Sequence, residues 1–155
     1  MSRKIKFRAW DKEERCMIYN VQDTYDYRCG NNGALAESFK EVLEDTDRYD
    51  VMQFIGQPDN YDKDIYEGDI VRQYADSDEY GTDLYFRYLI RWNNNDMCFE
   101  GVSITNKGID NNDTYCGSDL CDLEIIGNMY ENPELLNCSI ETIGYADESG
   151  LMSAT

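Results

Sequence analysis

The most reactive side chains in this chain are six cysteines, and no histidine accompanies them. Without imidazole the chain lacks the commonest general base, the commonest metal ligand and the partner of every Ser-His or Cys-His nucleophile pair. A lysine or a helix N-terminus can still activate a thiolate. The spacing of Cys16, Cys29, Cys98, Cys116, Cys121 and Cys138 gives no sign of such an arrangement. Cys116 and Cys121 are separated by four residues, with no second close pair. Structural zinc sites use two close pairs or mixed Cys/His sets, so no zinc is expected. Oxygen donors cluster twice, as Asp59, Asn60, Asp62 and Asp64 and as Asp110, Asn112 and Asp113. Neither run follows the ligand order of an EF-hand loop, with glycine sixth and glutamate twelfth. Opportunistic cation binding is the most these loops imply, and no dedicated metal or cofactor is expected.

Carboxylate pairs for acid–base work occur throughout a chain with thirty-two acidic residues and therefore single out no position. A glycosidase-like pair would also need a groove of sugar-stacking aromatics, for which Tyr66, Tyr74 and Trp92 are the candidates. The eleven glycines form neither GxGxxG nor GxxxxGK[ST], so no phosphate loop is present. These missing parts disfavour an enzyme and assign no catalytic, cofactor-binding or metal residue. A carboxylate enzyme using a divalent metal, or a nuclease accessory protein, stays open as the alternative.

Charge narrows the partners. Fourteen basic residues against thirty-two acidic ones give a net charge of −18. The first fifteen residues hold Arg3, Lys4, Lys6, Arg8, Lys12 and Arg15 against three acids, so the rest of the chain carries −21. Such a surface repels the phosphate backbone that supplies most non-specific nucleic-acid affinity, and direct DNA or RNA binding is not expected. The opening MSRKIKFRAW contains no apolar run suited to export or membrane insertion. The expectation is a cytoplasmic chain without obligatory disulfides, whose thiols stay reduced and pack as small hydrophobes.

Any such surface has to be positioned by the fold. A chain of 155 residues is one domain's worth, and burying about 68–70% of its unfolded surface is enough for a core without staples. Ile5, Phe7 and Ala9 alternate with Lys4, Lys6, Arg8 and Trp10, the pattern of a half-buried strand with its basic residues in solvent. A charged turn at Asp11–Arg15 and a return strand at Cys16–Tyr19 complete a hairpin. Leu35, Phe39, Val42 and Leu43 predict an amphipathic helix over about Ala34–Thr46, capped by Asn31 or Asn32. Strands are expected at Met52–Gly56, Ile70–Tyr74 and Leu123–Gly127, with a turn at Glu67-Gly68-Asp69 where glycine adopts positive φ. Leu84–Trp92 alternates most clearly, with Leu84, Phe86, Tyr88, Ile90 and Trp92 on one face and Tyr85, Arg87 and Arg91 opposite. It forms a second hairpin with Met97–Val102 through Asn93–Asp96. Asp76–Asp83 reads as an acidic loop and 105–119 as a polar excursion. Asn132-Pro133-Glu134 starts a short helix running to about Cys138. The fold class expected is mainly β (β-rich α+β), with antiparallel hairpins in an SH3-like or open-barrel sheet and one or two short helices.

Three phrases, IKFRAWD at Ile5–Asp11, MQFIG with IYEGDIV over Met52–Val71, and IIGNMYENPELL at Ile125–Leu136, together resemble the YopX family of phage and prophage proteins. The resemblance covers roughly 3–138, making 1–138 a YopX-like domain and 139–155 a C-terminal extension. It implies a mostly-β protein of a bacteriophage or prophage in the cytoplasm of a bacterial host. It carries no catalytic residues to transfer, and Trp10, Asp11, Glu67 and Asp69 read as architecture. The function expected is a non-catalytic interaction protein with an acidic surface that binds a host or phage protein. A homo-oligomer is compatible with this reading, and a membrane partner is not expected.

Overall fold

A computed structural model describes residues 2–23 and 38–137. Among the described residues the chain is mostly β, in two antiparallel sheets, one of them curled as a half-barrel, with one short α-helix. Two compact units divide it, Met1–Gln57 and Pro58–Thr155.

In the first unit, β1 (Phe7–Asp11) lies between β2 (Cys16–Tyr19) and β3 (Tyr49–Pro58). The register sets Ala9 opposite Ile18 on one side and Val51 on the other. One face of this sheet supplies Ala9, Ile18 and Tyr49 to a core that α1 (Phe39–Glu44) closes with Val42 and the half-buried Phe39. The Phe39 ring packs against Phe7 at 5.1 Å between centroids. The helix starts later than its apolar spacing suggests. Ser38 accepts from the Glu41 amide while Glu41 Oε1 accepts from the Ser38 amide, a reciprocal capping box. The S-x-x-E signal for it stands in the sequence at 38–41, whereas the expected caps Asn31 and Asn32 lie outside the described residues. Alternation in the first strand also misjudged Arg8. It is only 2% exposed, set between Tyr19 of β2 and Met52 of β3 in the register, with its guanidinium 5.9 Å from the Tyr19 ring.

In the second unit, β4 (Asp64–Tyr66) leads into a sheet of order β8-β7-β6-β5-β9. Its strands are β5 (Asp69–Ser77), β6 (Asp83–Asn93), β7 (Cys98–Thr105), β8 (Gly108–Tyr115) and β9 (Leu123–Asn128). Ile70, Leu89 and Ile104 form a core covered by Ile126 and by Leu135 and Leu136 of a 3-10 helix at Pro133–Leu136. This helix stands where the Asn132-Pro133-Glu134 signal places one. Asn132 does not cap it, however; its Oδ1 accepts from the Asn128 amide instead. Gly127 makes this closure close-fitting: a β-carbon there would stand 2.6 Å from Asn132 Oδ1 and 2.8 Å from Leu135 Cδ1.

Strand β6 differs from its sequence pattern. Arg87, Tyr88, Leu89 and Ile90 are buried in succession, while Phe86 and Trp92 are exposed. Burial here follows position along the sheet: the centre of β6 has neighbours on both sides, and its ends do not. The expected polar excursion over 105–119 is instead a tight turn after Thr105, then β8, then a single 3-10 turn at Gly117–Asp119. β8 is an edge strand with exposed and half-buried residues alone, so little apolar alternation marks it. The acidic loop at Asp76–Asp83 likewise contracts to a turn between extended strands.

Candidate functional site

The acids within or beside the three phrases hold the backbone together. Asp11 Oδ1 accepts from the amides of Glu13 and Glu14 and from Arg48 Nε, and its Oδ2 accepts from Arg48 Nη2 at 2.9 Å. Burial would raise its pKa, but the Arg48 bond and the two amides outweigh this and hold the carboxyl below its usual range. Asp59 Oδ1 accepts from the amides of Tyr61 and Lys63, and its Oδ2 from Ile125 of β9. Here too the amides overcome burial and lower the pKa. Asp69 Oδ2 accepts from the Tyr66 amide across the turn where Gly68 takes φ 87°, as the glycine's place in Glu67-Gly68-Asp69 predicts. Asn128 Oδ1 accepts from Tyr130 and Glu131. Carboxylates and amides used in this way are turn locks.

The loops weighed as cation sites do not assemble one. Asp59 spends both oxygens on amides, and Asp110 Oδ1 accepts from the Asn112 amide. Among the described residues no group of three His, Cys, Asp or Glu side chains is placed to hold a metal ion. The aromatics weighed as a sugar groove are also dispersed. Tyr66 is buried, Tyr74 stands near the far end of β5, and Trp92 is at the opposite end of the β5–β6 ladder.

One polar depression of about 520 Å³ is lined by Arg91, Trp92, Asn93, Glu100, Asn111 and Thr114, among others. Its charges neutralise one another. Arg91 Nε donates to Glu100 Oε2 at 2.7 Å, Arg91 Nη1 donates to Asn111, and Asn93 donates to Glu100 Oε1. Burial opposes ionisation of Glu100, but Arg91 and Asn93 more than compensate and keep its pKa low. A carboxylate held ionised by its partners is a poor general acid, so this depression has the chemistry of a polar contact surface.

Two thiols influence each other, Cys98 on β7 and Cys116 just past β8. Burial first, then Cys116 and the nearby Asp96 and Glu100 charges, pushes the Cys98 thiol up. Half-buried Cys98 should therefore react with iodoacetamide at pH 8 more slowly than exposed Cys121, a difference of about tenfold that peptide mass spectrometry would resolve. Equal rates would contradict the geometry. Among the described residues Cys98, Cys116 and Cys121 are free, whereas Cys16 is disulfide-bonded. The expectation that every thiol is reduced fails at Cys16, which lies half-buried against the first unit's core.

The remaining feature is an exposed surface. The distal part of the β5–β6 hairpin bears Tyr74, Tyr80 and Phe86 at 51%, 80% and 55% exposure, among Asp76, Asp78, Glu79 and Asp83. Sequence alternation placed Phe86 on the packed face. What would have shown otherwise is the acid-rich stretch ahead of it, with Asp76, Asp78, Glu79 and Asp83 within eight residues.

The family model described as YopX protein matches residues 6–137. No curated protein matches the chain. Among solved structures it is similar to protein EF1440 from Enterococcus faecalis, at 25% identity and a TM-score of 0.54, over 88% of this chain and 100% of that one. Among the described residues no helix is long and apolar enough to cross a membrane.

Proposed function

Since the chain belongs to the YopX family, we propose that it serves a bacteriophage or prophage as a non-catalytic interaction protein whose acidic surface engages a basic protein of host or phage. One observation carries this reading. The buried acids Asp11, Asp59 and Glu100 are consumed by backbone amides or by arginines, so the acidity left over is displayed outward together with exposed aromatic rings. Tyrosines in a charged surround supply rigid contact area of the kind enriched at interfaces. Occupation of a DNA-binding protein's basic cleft is one form such binding takes. Cytoplasmic location in the bacterial host is part of the proposal.

The second reading, a carboxylate enzyme using a divalent metal, needs acids converging in a cavity. The polar depression at Arg91 and Glu100 instead holds one carboxylate already paired with arginine. The test is capture of partners from a bacterial lysate on the immobilised full chain, at low and high salt, with and without duplex DNA. Raising salt from about 50 to 300 mM should release the captured protein, because screening shortens the reach of charge pairing to well under 10 Å. DNA should compete with it. A partner held equally at both salts and alongside DNA would refute the acidic-surface reading.

A further inference from the structure

The sheet neighbours of β5 and β6 stop short of their hairpin's end. β9 pairs with β5 only over Asp69–Gln73, and β7 pairs with β6 only over Tyr88–Asn93. Beyond these points β5 and β6 continue with each other alone, through Tyr74↔Tyr85, Asp76↔Leu84 and Ser77↔Asp83. The result is a two-stranded ribbon whose outer backbone edges have no strand partner among the described residues. A two-stranded ribbon is marginal by itself, and this one is reinforced along its length. Asp78 closes the tip by accepting from the amides of Tyr80 and Thr82, with Gly81 at φ 84°. Ser77 bridges the strands to Asp83, and Tyr74 meets Tyr85 edge to face at 5.9 Å. At its base Arg72 lies 4.1 Å from the Tyr85 ring and is ion-paired to Glu124.

A reinforced ribbon with open edges would invite indiscriminate pairing unless something selects the partner. Charge is the selector here. Residues 73–86 carry four acids, Asp76, Asp78, Glu79 and Asp83, and no lysine or arginine. A second copy brings a net −18, and the chain's own residues 138–155 contain no basic residue, so both are repelled. Resting on the acidic-surface reading above, we infer that this ribbon is the docking element, and that its occupant is an extended, Lys/Arg-rich segment of a partner protein that pairs as an added strand. The partner's backbone would complete a ribbon edge, with its cations and their aliphatic stems meeting Asp76 and Phe86 on one face of the ribbon and Asp83 and Tyr74 on the other.

The probe is a fluorescein-labelled octapeptide alternating arginine and valine, titrated with the full chain and read by anisotropy, with a glutamate–valine peptide as control. The Arg/Val peptide should bind, the control should not, and binding should weaken about tenfold between 50 and 300 mM salt. Two variants that spare the reinforcing contacts, Phe86→Ser and the double variant Asp76→Asn with Glu79→Gln, should each weaken it about tenfold or more. These residues lie beyond the flanking strands, so thermal unfolding should stay near wild type and separate lost docking from lost folding. No binding of the Arg/Val peptide, unchanged affinity in both variants, or a ribbon-dependent dimer in sedimentation equilibrium would overturn the assignment. Salt-sensitive lysate capture that persists in both variants would also sink the ribbon while leaving the acidic-surface reading in place. Absence of salt-sensitive capture by the wild-type chain would remove that reading itself.

Discussion

Replacing Asp11 with alanine should destabilise the first unit by about 3 kcal/mol, because removing one partner of a buried pair strands the other's charge and donors. Asp11 is 1% exposed and receives two backbone amides and two guanidinium nitrogens, while Arg48 also reaches Glu13. The amides hold the turn between β1 and β2, and the guanidinium ties that turn to the chain entering β3. Asp11→Asn keeps an oxygen for the amides and loses the charge, so it should cost less, about 1–2 kcal/mol. The carboxyl's pKa is lowered on folding from an ordinary value near 3.8. A depressed folded pKa means the stabilisation is complete above the unfolded value and disappears as pH falls through the folded one. The wild type should thus lose stability below about pH 4, and Asp11→Asn should lose less over the same interval. Urea unfolding monitored at about pH 7 and about pH 3, either side of the ordinary carboxylate range, checks this. Equal acid sensitivity in the two proteins would show that Asp11 is not the titrating lock.

How far the sequence reveals this molecule depends on how local each cause is. The hairpin of β1 and β2 was readable because its turn and its alternation lie within thirteen residues, and the β6–β7 hairpin for the same reason. Gly68 was readable as a positive-φ position because the residues flanking it make a turn. What was hidden depends on neighbours distant in sequence. Arg8 looks like a solvated residue until β3, forty residues later, covers its other side. Phe86 looks like a core residue until β7 is seen to stop at Tyr88 and leave it bare. β8 has too little apolar pattern to be seen at all, since an edge strand borrows its order from the ladder with β7. The candidate interface belongs to this second class. Its acids and aromatics were visible as composition, but their placement on one projecting ribbon follows from where two other strands end.

The loop around Asp59 shows how the same residues can suggest a ligand and serve the fold. Asp59, Asn60, Asp62 and Asp64 look like cation donors on paper. In the structure Asp59 Oδ1 takes the amides of Tyr61 and Lys63 at 2.8 and 2.9 Å, which shapes the loop, and Oδ2 takes the Ile125 amide at 3.0 Å. The Asn60 amide donates to the Leu123 carbonyl, so the loop is fastened to β9 at two points. Asp59→Ala would leave three amides without their acceptor at a buried site, a loss of about 3 kcal/mol. Asp59→Asn is the more telling change. Its single oxygen can still serve the loop amides, but its amino group would then face the Ile125 amide, donor against donor. Amide exchange at Ile125 should accelerate selectively, by about tenfold or more for one lost hydrogen bond, while Tyr61 and Lys63 change little. A cation site would behave differently. Millimolar calcium would shift the wild-type Tyr61 and Lys63 resonances, and Asp59→Asn would abolish that shift without singling out Ile125. Exchange at Ile125 that stays at the wild-type rate in Asp59→Asn would rule out the lock, because nothing else would then distinguish this aspartate from the acids around it.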